Sequence, residues 1–281
     1  MHSLTYPIEK AGCPVAILRD TLGDKLSQAE MRKLGRLYLL YVKKRGLACR
    51  LKASTAFAGA QGDWLRSAYK ATYKDKPLEW LRTALLAVAG NRCPSCGGTR
   101  PVELDHHLPK SEYAEYSVFP INLAAICGPC NKSKLAKVGA TVETSFLHPY
   151  LDRIPEVAFL DAATHRSNGS YLLRFAFTGG AVTDPLLALR MKNQFGQIDM
   201  DASLAAEITE LLSELACRFE DELEDPAGTP ASPELVRAYL ERSAKRVERQ
   251  HRVGFWQAIM LRALANDASF CGGGYRSHLP R

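Results

Sequence analysis

Hydrophobic positions along the chain recur mostly at helical spacing, which predicts a predominantly helical fold. In the stretch AEMRKLGRLYLLYVKKRG, apolar side chains return every three or four residues and would share one helical face. Just before it, Ser27 and Glu30 have the spacing of a capping box, in which each side chain bonds the other residue's backbone N–H. PLEWLRTALLAVAG predicts another helix, with Pro77 in its first turn and Gly90 at its end.

The second half of the chain carries four further helical patterns. The first begins at Pro185 and should end near Gly196, and DASLAAEITELLSELACRFEDEL is a strongly amphipathic second. A loop rich in proline and glycine follows at 225–233, and after it a pattern rich in Arg and Lys continues to about Arg252. FWQAIMLRALAND is the last helical pattern, and CGGGYRSHLPR is expected to be a loose end.

Strand-like patterns are fewer and shorter. PVELDHH alternates like a strand that Pro109 should end, and CGPCNKSKLAKV follows as the start of a helix. Asn168-Gly169 between apolar runs indicates a β-hairpin near 157–177. The predicted fold class is therefore α+β, predominantly helical. Three regions are expected: a helical region at 1–90, a compact mixed module at 91–140, and a mostly helical region at 141–281.

Charge is distributed unevenly along these regions. The chain carries a net charge of +7, of which residues 1–92 contribute +10, residues 93–140 contribute +1 and residues 141–281 contribute −4. A basic front third is expected of a protein that binds a polyanion, although a solvated basic surface gives the same pattern. No apolar run approaches the roughly 20 residues that span a bilayer, and the first residues lack a signal pattern. We expect a cytoplasmic protein with no membrane association.

Four of the eight cysteines form two C-x-x-C pairs within glycine- and proline-containing turns, CPSCGG and CGPCN. Each such turn can aim two thiolates at one point, and two turns complete the tetrahedral ligand set that structural zinc requires. A redox pair is a weaker alternative, because both pairs have the shape of metal-binding turns. The predicted structural zinc ligands are Cys93, Cys96, Cys127 and Cys130.

An acid and two histidines, in LDHHLPKS, lie between the two cysteine pairs. Hydrolysis of a phosphodiester with a metal ion needs oxygen ligands for a hard cation and a base that accepts a proton from water. Asp105 and the amide oxygen of Asn131 suit Mg²⁺, and histidine titrates near neutral pH. The zinc site would tie the strand that carries Asp105 and His106 to the helix that carries Asn131.

Together, CPSC, LDHHLPKS, PINL and CGPCNKSK resemble the HNH endonuclease family with its ββα-metal fold, over about residues 91–140. The resemblance implies that Asp105 and Asn131 bind a catalytic Mg²⁺, Mn²⁺ or other divalent cation. It implies that His106 is the general base and that Asn122 orients the loop beside it. It also implies structural Zn²⁺ on the four cysteines. Nucleic-acid contacts are expected at Lys110, Lys132 and Lys134, where a solvated helical lysine is an equally good interpretation of Lys134.

The choice between the two histidines depends on the local strand geometry. Alternation along a regular strand would place Asp105 and His107 on one face and His106 on the other, which favours His107 as the base. The family pattern favours His106, because it follows the aspartate directly and precedes Pro109 by three residues. His106 is preferred here, on the expectation that the strand is distorted at its end, and His107 is the alternative.

The sequence supports more than one function. The leading hypothesis is a metal-dependent endonuclease that cleaves nucleic acid, with DNA as the expected substrate and anti-phage defence or restriction as the expected context. The second is a zinc-stabilised module that binds nucleic acid without cleaving it. The third is a nuclease subunit that is active only with a partner such as an ATPase. A homo-oligomer is the alternative assembly. The basic N-terminal helices and the helix near 237–252 could follow phosphates.

Overall fold

The structure is a computed structural model of the 281-residue chain that describes residues 1–7, 14–224, 229 and 231–280. The described residues form α-helices, short 3-10 turns and two small antiparallel sheets, which confirms an α+β fold rich in helix. Cys13 and most of the predicted loop at 225–233 lie outside the described residues. In the parts of the chain that are described, no helix combines the length and apolar character that crossing a membrane requires.

Two compact units make up the chain. The first contains Met1–Ile154 and Leu189–Asp199, and the second contains Pro155–Ala188 and Met200–Arg281. This division differs from the three predicted regions because helices before residue 90 share one hydrophobic core with the module at 91–140. Leu34, Leu65 and Leu85 belong to the same buried cluster as Leu104 and Leu123.

Between Met1 and Ile154, the first unit has four helices followed by a small hairpin and a short helix. The second of these helices starts with the predicted capping box, in which the Ser27 N–H donates to Glu30 Oε2 at 2.7 Å. It ends before Arg45 and Gly46, both of which have positive φ. The elements are α1 (Pro14–Leu22), α2 (Gln28–Lys43), α3 (Ala60–Ala68), α4 (Glu79–Ala89), β1 (Glu103–His106), β2 (Leu123–Ile126) and α5 (Gly128–Lys134).

The second unit is built on the predicted hairpin, which turns through Asn168 and Gly169 at φ values of 50° and 82°. Both residue types tolerate positive φ, which a tight turn of this kind requires. Residues of α6 from Leu189 onward belong to the first unit. The elements are β3 (Leu160–Ser167), β4 (Ser170–Phe177), α6 (Pro185–Gln197), α7 (Met200–Leu223), α8 (Pro233–Gln250), α9 (Trp256–Asn266) and α10 (Ala268–Cys271).

The C-terminal stretch is ordered over its described residues, which end at Pro280, and the expectation of a loose end was wrong. Residues Gly274–His278 form a 3-10 helix in which Tyr275 is fully buried. The Tyr275 ring packs edge-on against Phe219, and its hydroxyl donates to Glu224 at 2.6 Å. Three consecutive glycines concealed this anchor, because they remove the apolar periodicity on which helix prediction depends.

Candidate functional site

The site region is built on an antiparallel hairpin followed directly by a helix. Strand β1 pairs with β2 in a regular register that runs from Glu103↔Ile126 to His106↔Leu123. Helix α5 starts at Gly128, only two residues after β2 ends. Because the pairing stays regular through His106, the strand does not show the distortion that we expected at its end. Alternation therefore decides which side chains face α5.

The four predicted zinc ligands converge. All four sulfurs lie within 4.8 Å of one another, and each cysteine is buried. The sulfurs of Cys96 and Cys127 are 3.8 Å apart. Tetrahedral zinc with Zn–S bonds of about 2.3 Å places neighbouring sulfurs about 3.8 Å apart. The group could hold one metal ion with thiolate ligands alone, which leaves no position for a substrate.

Backbone groups reinforce this four-cysteine group. The Gly98 N–H donates to the Cys96 sulfur at 3.4 Å, and the Cys127 N–H donates to the Cys93 sulfur at 3.4 Å. Burial opposes ionisation of Cys93, but hydrogen bonds from the Cys127, Cys130 and Cys96 thiols bring its pKa well below the ordinary value. Hydrogen bonds within the group, with Cys127 first, raise the pKa values of Cys96 and Cys130, so the group favours a single thiolate until a metal binds.

A second group of polar side chains joins β1 to α5. Glu103 and Asp105 are two residues apart on the strand and share a face, and Asn131 and Lys134 are three residues apart on the helix and share a face. Asn131 Nδ2 donates to Glu103 Oε2 at 2.5 Å, and Lys134 Nζ contacts Asp105 Oδ2 at 2.7 Å. These four residues are called the strand–helix cluster below. Asp105 and Asn131 occupy its diagonal corners.

The amide of Asn131 has a defined orientation. An ionised carboxylate only accepts hydrogen bonds, so the group that Asn131 turns toward Glu103 must be its NH₂. Its Oδ1 has no hydrogen-bond partner among the described residues. A metal binds an asparagine through this oxygen, so the contact with Glu103 exposes the atom that could serve as a ligand.

Lys134 is buried beside Asp105, so the interpretation of Lys134 as a solvated helical lysine was wrong. Its side chain is 5% exposed, and Nζ also donates to the His106 carbonyl at 3.0 Å. Burial raises the pKa of Asp105, while the Lys134 ammonium acts in the opposite direction. Breaking a buried pair of this kind costs about 3–5 kcal/mol. The ammonium shows that positive charge is favoured at this carboxylate.

His106 points to the other face of β1, as strand alternation requires. Its ring stacks at 4.5 Å against Tyr69, and its Nε2 lies 2.9 Å from the Ser117 carbonyl oxygen. Burial, with the nearby Lys110 and Lys134, lowers the pKa of His106 to about 4. The ring is therefore neutral at neutral pH. Because a carbonyl only accepts, Nε2 carries the proton and Nδ1 is left as the proton acceptor.

His107 shares the α5-facing side of the strand with Asp105. Its ring lies 4.4 Å from that of His148, and burial together with His148 brings the pKa of His107 well below its ordinary value. A cavity of about 30 Å³ is lined by Asp105, His107 and Lys134, among other residues. This space fits a water molecule or a bare ion and excludes a nucleotide.

Asn122 is fully buried and fastens the loop between the two strands. Its Oδ1 accepts from the Leu108 N–H at 2.8 Å and from the Tyr41 hydroxyl at 2.9 Å. Its Nδ2 donates to the carbonyls of Leu108 and Tyr116 at 3.0 and 3.1 Å. Because both polar atoms of its side chain are hydrogen-bonded, Asn122 holds the loop that carries Ser117. It thereby fixes the position of the carbonyl that binds His106. This is the arrangement that an orienting role requires.

The remaining predicted nucleic-acid contacts lie apart from one another. Lys110 is half-buried, with its ammonium 4.6 Å from the centre of the Tyr69 ring, on the same side of β1 as His106. Lys132 is exposed on α5. Both positions are sterically open to phosphate, whereas Lys134 is committed to Asp105.

Sequence reasoning did not single out several residues that build this region. Glu103 could have been found, because it precedes Asp105 by two residues and so shares its strand face. No sequence signal pairs Tyr41 with Asn122 or His148: the Tyr41 hydroxyl donates to Asn122 and lies 3.1 Å from His148 Nε2. These residues are separated by about one hundred positions in sequence, and only packing brings them together.

Comparisons with known proteins leave the family open. No family model matches the chain, and no solved structure matches it. The chain is 26% identical to "Protein ea31" of Escherichia phage lambda over 218 residues, which cover 71% of this chain and 70% of that protein. The similarity extends well beyond the 91–140 module, so it includes at least part of the helical surroundings.

Proposed function

We propose that this chain is a metal-dependent endonuclease of the HNH type that hydrolyses phosphodiester bonds of nucleic acid, with DNA as its substrate. The observation that carries the proposal is the strand–helix cluster. A ββα unit places Asp105 on the strand face that meets Asn131 on the helix, beside a separate closed set of four thiolates. The four cysteines could hold a structural metal, and the strand–helix cluster separately supplies oxygen ligands for a second one.

Zinc is the metal proposed for the cysteines, because the sulfur spacing suits tetrahedral thiolate coordination. Mg²⁺ or Mn²⁺ is proposed for the second position, held by Asp105 and by Asn131 Oδ1. The donor set fits a hard cation because both atoms are oxygens, and the cation would share or displace the Lys134 ammonium at Asp105. When bound, such a cation stabilises the negative charge that develops on the phosphate in the transition state.

The chain's own residues would divide the rest of the chemistry. His106, neutral and held through Nε2 by the Ser117 carbonyl, accepts a proton from the attacking water at Nδ1 in the proposed reaction. Because the ring lies on the Tyr69 side of β1, this step requires it to turn toward Asp105 when substrate binds. Asn122 fixes the loop that supplies this carbonyl. Glu103 orients the Asn131 amide, and Lys110 neutralises a phosphate on the His106 side of the strand.

A binding module without nuclease activity is the second candidate, and two observations favour it. Lys134 already occupies an oxygen of Asp105, and His106 faces away from the side where Asp105 and His107 line a cavity too small for a nucleotide. In this alternative the zinc and the basic side chains remain useful, and the strand–helix cluster only stabilises the fold. Dependence on an ATPase partner and a role in anti-phage defence stay predictions.

Nicking of supercoiled plasmid distinguishes the endonuclease from the binding module. The zinc-loaded full chain is incubated with plasmid alone, with Mg²⁺ and with Mn²⁺, while retained zinc is measured in each sample. The proposal expects divalent-dependent nicking that His106→Ala and Asp105→Asn abolish, with 5′-phosphate and 3′-hydroxyl ends. Plasmid binding without nicking under all three conditions would favour the binding module.

A further inference from the structure

The outward side of α8 carries a compact row of cations. Arg242, Lys245, Arg246 and Arg249 are all exposed, and they follow the spacing i, i+3, i+4, i+7 that brings side chains onto one face of a helix. None of the four forms an ion pair with a described residue. These four residues are called the basic face below.

The helix is held so that this face must point to solvent. Its opposite side buries Val236, Leu240 and Ala244. The one acidic residue within the row's span, Glu248, is committed to Arg262 at 2.6 Å. Within the row's span the helix therefore offers the basic face no free carboxylate, although the exposed Glu241 precedes the row by one residue.

The basic face contrasts with the composition around it. Residues 141–281 carry a net charge of −4, and α7 has acidic residues along most of its length, from Asp201 to Glu222. Four exposed cations within eight residues are thus a local feature, and solubility alone does not require them in a segment that is already charged. Concentrated charge of one sign on a rigid helix is typical of a surface that binds a polyanion.

We propose that the basic face of α8 binds the phosphate backbone of duplex DNA, an inference that rests on the proposed function for the identity of the polyanion. Residues 242–249 extend about 10 Å along the helix, at about 1.5 Å per residue. That length reaches across a minor groove of about 6 Å, so the cations can contact phosphates on both of its sides. Contacts of this kind hold the duplex without reading its sequence.

Binding of a fluorescent 20-base-pair duplex, measured by anisotropy without added Mg²⁺ or Mn²⁺ over a range of salt concentrations, tests the proposal. The variant is Arg242→Gln/Arg246→Gln/Arg249→Gln in the full chain, and the matched control is the same triple change to Lys, which keeps the charge. Three lost phosphate contacts should reduce the slope of log K against log[salt] by about 2.7, while the Lys control keeps the slope. Circular dichroism confirms that both variants are folded.

The other outcomes overturn the proposal. An unchanged slope in the Gln variant would show that DNA does not use this face. Selective loss of binding to phosphatidylserine vesicles, with duplex binding intact, would assign the face to a membrane surface, and a changed oligomeric state alone would assign it to a second copy of the chain. Because the assay needs no cleavage, it separates this proposal from the nuclease: His106→Ala should abolish nicking and leave the slope unchanged.

Discussion

The four-cysteine group and the strand–helix cluster lie in the same unit, and they satisfy their polar atoms in opposite ways. The cysteine sulfurs are buried against one another and accept from backbone N–H groups, so a metal there would be fully surrounded by protein. In the cluster, Glu103 takes the amide NH₂ of Asn131 and leaves its oxygen without a partner. A closed ligand set suits a structural metal, whereas an incomplete one suits a metal that must also bind substrate.

Charge separates the two groups as well. The cysteine group lowers the pKa of Cys93 through its own thiols, with burial acting against them. The cluster includes a buried ammonium from Lys134, which offsets the burial of Asp105. Asp105 thus has a cationic partner within the protein, whereas the cysteine sulfurs meet one another. We therefore expect zinc to control folding and the second cation to control activity alone.

Removing a cysteine should have the largest effect. Cys130→Ser deletes one of four buried thiolates and leaves the others without a complete metal site, so the first unit should lose its metal and much of its stability. Structural zinc contributes about 10–16 kcal/mol of binding free energy in small zinc-dependent folds. Metal content by mass spectrometry and thermal unfolding by circular dichroism measure both losses. Cys49→Ser, at an exposed cysteine, is the control and should retain both.

Removing the proposed general base should reduce cleavage and leave the metal content unchanged. His106→Ala is expected to reduce plasmid nicking by about 10²–10⁴-fold, the range for loss of a positioned base. His107→Ala is the comparison, because it lies on the other face of the strand and should mainly affect stability. The assignment of His106 is wrong if only the His107 variant, still folded, loses nicking.

Glu103 should act on the second cation through Asn131. Glu103→Ala frees the amide to rotate, so the affinity for Mn²⁺ should fall about 10–100-fold, as for other groups that orient metal ligands. Glu103→Gln keeps an acceptor oxygen and should restore most of that affinity. Glu112→Ala, at an exposed acid of the same unit, should change nothing. Equal Mn²⁺ affinity in all four proteins would remove Glu103 from the site.

The smallest expected effect is a change in pH dependence. Burial, with Arg190 and Arg45, lowers the pKa of His148 to about 3, although Asp152 raises it. Between about pH 6.5 and pH 3 the unfolded chain binds a proton that the folded chain does not. Stability is therefore greatest above this window and falls as the pH drops through it, by about 1.4 kcal/mol per pH unit for each such proton.

His148→Gln should remove the one proton that the unfolded chain binds at this position. The Gln side chain can still form a hydrogen bond with Tyr41. Urea unfolding at pH 7 and pH 5 measures the difference in slope. The wild-type slope should stay steeper by about one proton, because His106 and His107, whose pKa values are also lowered, contribute in both proteins. If the unfolding free energies of the two proteins changed equally between pH 7 and pH 5, His148 would not contribute to the pH dependence of stability.

Much of the fold could be predicted because local signals were strong. The capping box at Ser27, the Asn168-Gly169 turn and the helix beginning at Pro185 each follow from residues adjacent in sequence. The convergence of the cysteines followed from the chemistry of paired C-x-x-C turns. Such features depend on short-range geometry that a single sequence contains.

The partners of the site residues could not be predicted in the same way. Sequence spacing gave no reason to pair Lys134 with Asp105, because that contact depends on how α5 lies on β1. Alternation along β1 correctly placed Asp105 and His106 on opposite faces, but the expected distortion of the strand gave the wrong local geometry. The shared core that joins the N-terminal helices to the hairpin also arises from long-range packing.

Titration of the zinc-loaded chain with Mn²⁺, followed by electron paramagnetic resonance, tests the central distinction between a closed and an open site most directly. We expect one Mn²⁺ per chain in addition to one zinc, lost in both Asp105→Asn and Asn131→Ala while the zinc stays bound. Absence of Mn²⁺ binding, or Mn²⁺ binding that survives both substitutions, would contradict the account and leave the strand–helix cluster as a purely structural contact.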